Sequence, residues 1–132
     1  MLTKAEIESG LAGFTGTEGY HRVCSLMPRF VITDGCKWLA DNAKCFWLFE
    51  AIMSHQPKCW RRDAKLRDFQ CWTLTVKNGR GTLQCKGDSS DPMPIVCQRM
   101  KTDFPLDEIT IWVEPQPTES RALIVAYLPS EH

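Results

Sequence analysis

The sequence predicts an α+β domain: N-terminal helices, one of them long and buried over about residues 33–55, packed on an antiparallel sheet of four to five strands over about residues 69–128. Three observations carry this. Residues 33–55 read as one helix with too much apolar circumference to lie on a surface. From Phe69 the apolar period drops from about 3.6 residues to about 2. Asn78-Gly79 then gives a strong type I′ hairpin signal between two strand-like runs. Helices first and short strands after, joined by tight turns, is the order of an α+β meander with one sheet face against the long helix.

Taken in order, residues 2–12 suggest a short amphipathic helix capped by Thr3, with Glu6 placed for a capping box and Gly10 weakening its end. The glycine-dense stretch Gly13 to Tyr20 is a turn segment. It is not a phosphate loop, since it has no G-K-[ST] and no strand precedes it. Tyr20 to Phe30 reads as a short helix or an irregular segment, closed by Pro28, and Arg29 to Ile32 as an extended lead-in.

Thr33 is a good N-cap for the long helix, and Asp34 complements the positive end of its dipole. Pro57 should end it, because the residue before a proline is pushed out of the α region. At about 100° per residue, Asp34, Lys37, Asp41 and Lys44 form a wet stripe opposite Cys36, Leu39, Ala43, Phe46, Trp47 and Met53. On that phase Glu50 points into the apolar face, a buried carboxylate. It is expected either to pair with Arg22, Arg29 or His21 or reach the core's rim, or else to line a pocket with a raised pKa.

Residues 58–69 carry Lys58, Arg61, Arg62, Lys65 and Arg67 against Asp63 and Asp68, with Trp60 embedded. One reading is a solvated connector whose long side chains lay their stems on the core. The other is a phosphate-contacting patch with Trp60 as a stacking platform.

Strands are expected from Phe69 to Val76, with Trp72, Leu74 and Val76 on one face, from Thr82 to Lys86, from Ile95 to Met100, from Ile109 to Val113 and from Arg121 to Leu128. Polar loops should occupy residues 86–94 and 114–120, and Pro105 marks a turn.

The 132 residues fit one domain, and 43% hydrophobic with 24% charged residues is ordinary for a soluble globular chain. Sixteen Lys plus Arg balance sixteen Asp plus Glu, so there is no global footprint for nucleic acid or an anionic membrane. No apolar run is long enough to span a membrane, and the N-terminus lacks a signal-peptide core. A cytoplasmic location is the expectation. Seven cysteines, with no C-x-x-C, then read as small buried hydrophobes in a reducing compartment.

No catalytic residue and no cofactor are expected. There is no G-x-S-x-G, a Cys–His pair among Cys24, Cys59, His21 and His55 is only formally available, and Asp103, Asp107 and Glu108 read as turn and solvent residues. His21, Cys24, His55 and Cys59 have spacings a tetrahedral zinc would tolerate, yet the two pairs must converge in space, so no metal is the default.

Six segments in order, Leu11–Glu18, Arg29-Phe30 with Thr33-Asp34-Gly35, Trp47–Ile52, Phe69–Leu74, Thr102–Ile109 and Leu128–Glu131, resemble an uncharacterised family of small bacterial, phage and plasmid proteins. The resemblance runs from about Leu11 onward. It brings no established activity, and implies a mobile-element context in which such genes often encode modulators of host machinery, including inhibitors of defence nucleases.

The expected function is therefore a non-enzymatic protein-binding module, self-associating as a homodimer or engaging another protein. Trp60, Trp72 and Trp112 are its expected anchors, since Trp, Tyr and Arg dominate binding energy at interfaces. The alternatives are nucleic-acid binding through residues 58–67, and a pocket protein or enzyme centred on Glu50.

Overall fold

Thr3 opens the first helix, α1 (Lys4–Leu11), with both halves of the expected capping box. Its hydroxyl accepts from the Glu6 amide at 3.3 Å, and its own amide donates to the Glu6 carboxylate at 3.2 Å. The structure is a computed structural model and describes residues 2–87, 93–117 and 122–132. Gly10 has a packing reason to lack a side chain: a Cβ there would run into the ring of Trp38.

The Tyr20 to Ile32 region is not helical. It supplies two strands, β1 (Tyr20–Arg22) and β2 (Phe30–Thr33). Neither has a legible period. The first is three residues long, and all four residues of the second are buried, which removes the alternation that marks a half-exposed strand.

The long helix is bent into two arms, α2 (Asp34–Asn42) and α3 (Phe46–Ser54). Ala43 closes α2, Lys44 takes a left-handed φ of 53°, and the Cys45 amide reaches back to the Ala40 carbonyl at 3.1 Å. That backward bond past a left-handed residue is how a Schellman motif ends a helix. Nothing in the sequence announces it, because lysine holds the place usually given to glycine. The break resets the helical phase, and this corrects Glu50. Leu48, Phe49 and Ile52 face inward, while Glu50 is exposed and is no buried carboxylate. Nor does Pro57 end the helical stretch. It sits in the first turn of a further helix, α4 (Gln56–Arg62), where its missing N–H has no partner to lose. A 3-10 turn (Ala64–Arg67) follows, its Asp63 side chain accepting from the Lys65 amide.

The second half gives β3 (Gln70–Lys77), β4 (Arg80–Lys86), β5 (Val96–Lys101), β6 (Glu108–Gln116) and β7 (Leu123–Tyr127), then a closing 3-10 turn (Pro129–Glu131). Asn78 and Gly79 both have positive φ, 53° and 74°, as the type I′ turn requires. The predicted loop over 86–94 and the predicted strand start at Arg121 fall partly outside the described residues. Residues 114–116, expected in a loop, extend β6.

All seven strands form one sheet in the order β1-β2-β7-β6-β3-β4-β5. This corrects the expectation of four to five antiparallel strands: the N-terminal pair adds to the meander, and β2 runs parallel to β7. The other pairings are antiparallel. Among the described residues no helix is long and apolar enough to cross a membrane.

The main core lies between the helices and one sheet face. It joins Ile7, Leu39, Leu48, Phe49 and Ile52 to Phe30, Trp72, Leu74, Ile111 and Val113. Trp72 is fully buried there, with the His55 ring stacked on it at 5.8 Å, so it cannot anchor a surface. Beneath it runs a closed polar network. Gln56 and Gln70, both buried, exchange amide bonds of 2.9 and 2.8 Å. Their remaining donors reach the Ile52 and Leu66 carbonyls, and Gln70 also accepts from the Trp72 indole at 2.8 Å.

A second, smaller cluster, Val31, Val125 and Tyr127 with Trp112 and Leu123, sits on the opposite sheet face and contains no helical residue.

Candidate functional site

Three pieces of chain far apart in sequence meet at the N-terminus of α2. Parallel pairing of β2 with β7 sets the end of β7 beside the start of α2, and the chain then turns back so that Glu131 reaches the helix cap. The Glu131 carboxylate accepts from the Thr33 hydroxyl at 2.7 Å and from the Gly35 and Leu128 amides at 3.2 and 3.0 Å. A carboxylate here satisfies orphan amides and meets the positive end of the helix dipole. The bare Gly35 backbone lets both side chains approach, since a Cβ there would lie 2.7 Å from Leu128 Cδ1 and 2.8 Å from Glu131 Oε1 and one of them would have to shift. Close by, Asp34 accepts from the Glu18 amide at 3.0 Å and pairs with His21 Nε2 at 2.8 Å. The His21 bond, followed by the Glu18 bond, holds the Asp34 carboxyl below its usual range.

On the sheet face opposite the helices this junction opens into a cavity of about 210 Å³, lined by Tyr20, Glu114, Gln116, Tyr127, Glu131 and His132 among others. Tyr127 is 5% exposed, yet its buried hydroxyl has no hydrogen-bond partner. Burial first, then the charge of the neighbouring Glu114 and the approach of its carboxylate to the hydroxyl, which falls short of a hydrogen bond in geometry, push its phenol above the ordinary range, so it stays protonated. Glu114 accepts from the Gln116 amide at 3.2 Å. A cluster of rings extends outward from Tyr127 and His132 in the cavity wall. Trp112 meets Tyr127 edge-on at 6.0 Å, His132 at 5.8 Å and Phe69 at 5.5 Å, and His132 stacks on Tyr127 at 6.1 Å.

The predicted site residues are not brought together. Trp112 is half-buried on the open face, whereas Trp60 packs against the main core on the helix side. Trp60 borders a separate cavity of about 220 Å³ with Met27, Arg29 and Ile124, its buried indole N–H unpartnered. Lys58, Arg61, Arg62, Lys65 and Arg67 are all exposed. Three of the five donate to backbone carbonyls: Arg61 to Pro57, Arg62 to Ile95 and Arg67 to Trp60.

The four zinc candidates do not converge. His21 is held by Asp34, His55 bonds Gln98 at 2.8 Å, and Cys59 is buried against the Cys85 thiol. No group of three or more metal-binding side chains occurs among the described residues. Burial also pushes the Cys36 and Cys45 thiols up, Cys45 to about 12, which leaves them un-ionised and poor nucleophiles.

Sequence reasoning missed Tyr20, Glu114, Tyr127 and Glu131 altogether. Only the parallel β2–β7 pairing unites them, and no spacing along the chain encodes that contact.

No curated protein and no solved structure matches the chain. The model of DUF6876, a family of unknown function, does match, and because the match covers residues 5–132 the chain belongs to that family.

Proposed function

We propose that this protein is a non-catalytic protein-binding module that works through the face of its sheet left bare by the helices. One observation carries the reading: the aromatic cluster of Trp112, Tyr127, Phe69 and His132 lies on that face, where the apolar patch includes no helical residue. Large amphipathic rings in a shallow, half-dry setting are the usual anchors of binding energy. Trp112 is the anchor; Trp60 and the buried Trp72 are not. Modulation of host machinery, as the resemblance implied, would be exerted through this face.

Trp112→Ala should weaken partner capture, or self-association if the partner is a second copy, by about 2 kcal/mol or more. Thr73→Lys, on the same face and half-exposed, should weaken it too, and Trp60→Ala should not. Quantitative capture from the native host and sedimentation velocity would measure this. Identical partners and identical sedimentation for Trp112→Ala and wild type would overturn the reading.

A second reading has its own support. Lys58, Arg61, Arg62, Lys65 and Arg67 form no ion pair among the described residues, leaving five exposed cations on one segment. Nucleic acid bound there would show a steep salt dependence, and Arg61→Ala with Arg62→Ala would abolish it. The absence of a mobility shift at low salt would dispose of it.

A further inference from the structure

The cavity beside Tyr127 has features that a docking face alone does not need. It is walled by two residues that carry carboxylates, Glu114 and Glu131, by Gln116 and by the aromatic residues Tyr20 and His132. Glu131 is already occupied by three donors, two at the α2 cap and the Leu128 amide, so it is a fixed part of the wall. Glu114 is different. Its one described hydrogen bond, from Gln116, leaves most of its acceptor capacity open. Beside it the Tyr127 side chain borders the cavity, and its buried hydroxyl has no hydrogen-bond partner. A buried hydroxyl left unpaired is an expense that folding alone does not explain. It is explained if a ligand completes the bond.

The chemistry of that ligand follows from the wall. Acceptors dominate: the Glu114 carboxylate, the Gln116 carbonyl and the oxygen of a phenol that remains protonated. Aromatic rings flank them, which favours a cation over an anion. At about 210 Å³ the space is smaller than the roughly 300–1,000 Å³ of sites for whole cofactors or drug-sized ligands, so a single head group is the appropriate guest. Several acceptors around one small space suit a planar fork of N–H donors better than the point charge of an ammonium.

We propose that the cavity bounded by Glu114, Tyr127 and Glu131 is a recognition site for a guanidinium group, held by the Glu114 carboxylate and completed by the Tyr127 hydroxyl. The group can belong to an arginine side chain of a partner protein or to a free small guanidine, and the site takes the same head group from either. The proposal does not depend on the docking reading, because a small guanidine occupies the cavity with no partner present.

The test is a titration of the full-length protein followed by two-dimensional amide NMR and by the fluorescence of Trp112, whose ring abuts Tyr127. Methylguanidine and N-acetyl-arginine methylamide should both shift signals from residues 112–116 and 125–131 saturably. The lysine analogue should bind more weakly, and the neutral citrulline analogue should not bind. Glu114→Gln and Tyr127→Phe, each nearly isosteric, should each weaken the arginine compound by about tenfold or more, as loss of a charge-assisted or buried hydrogen bond does, while the rest of the spectrum stays put. Tighter binding of an arginyl peptide than of methylguanidine identifies a protein side chain as the source, and equal affinity identifies a free guanidine. Shifts that do not saturate, that the citrulline compound reproduces, or that survive both substitutions overturn the site.

Discussion

Gln70→Ala is expected to remove about 4 kcal/mol of folding stability, a large part of the roughly 5–15 kcal/mol that holds a typical domain together. The reason is the closure of the network it belongs to. Gln70 is 1% exposed and is bonded at once to the Gln56 amide, the Leu66 carbonyl and the Trp72 indole. Truncation leaves each of those groups inside the core with no water to turn to, and buried groups so orphaned cost about 1–3 kcal/mol each, with partial relaxation. The space vacated adds a cavity term. Gln56→Leu combined with Gln70→Leu should cost clearly less than the sum of the two single changes, since the amides are then removed together and neither orphans the other. Urea unfolding of wild type, Gln70→Ala, the two single leucine variants and their combination measures this. A loss of less than about 1 kcal/mol for Gln70→Ala, when the wild-type network should hold several times that, would mean the network is wet or dispensable.

That network shows what could and could not be read from the chain. The alternation of Trp72, Leu74 and Val76 was legible, and so was the turn at Asn78-Gly79, because local backbone preference and the inward-outward pattern agree there. The capping box at Thr3 was legible for the same reason. The bend at Lys44 was not. A left-handed lysine has no local signature, and the phase carried across it placed Glu50 on the wrong side. The stretch Arg29 to Ile32 was legible as extended, but burial at every position of β2 removed the alternation that marks a strand of the sheet, and with it went the parallel partner of β7. The candidate site stands on that single non-local pairing. This is why three tryptophans and a basic run stood out in the sequence, while Glu114, Tyr127 and Glu131 did not.

The same contacts tie the cap of α2 to the wall of the cavity. Glu131 links Thr33 and Gly35 to the end of β7, so the fold's only described parallel pairing, the helix N-terminus and the site are one structural unit. A ligand seated against Glu114 would therefore be held by rigid strand positions on β6 and β7, where a few ångströms of loop motion cannot dissolve the geometry.

Tyr127→Phe should stabilise the unliganded protein by about 1–2 kcal/mol, the reverse of what most core substitutions do. The substitution deletes one buried oxygen that bonds to nothing and keeps the ring, its stacking on His132 and its edge contact with Trp112. What is lost is only the penalty of drying an unpaired hydroxyl. The alkaline limb of the stability curve gives an independent sign. The folded phenol has a pKa raised above its ordinary 10.0, so in that range the unfolded chain gives up its proton first. Wild-type stability on this account is intact below about pH 10 and declines as pH rises beyond it, and Tyr127→Phe should lack that part of the decline. Unfolding in the presence of N-acetyl-arginine methylamide then separates stability from function. A bound ligand stabilises wild type in proportion to RT ln(1 + [L]/Kd) and leaves the phenylalanine variant nearly unmoved, so the two midpoints should converge and cross as the ligand is raised. If Tyr127→Phe instead loses about 1 kcal/mol without ligand, the hydroxyl already donates to Glu114, and the vacancy that argues for a guest in the cavity is filled from within.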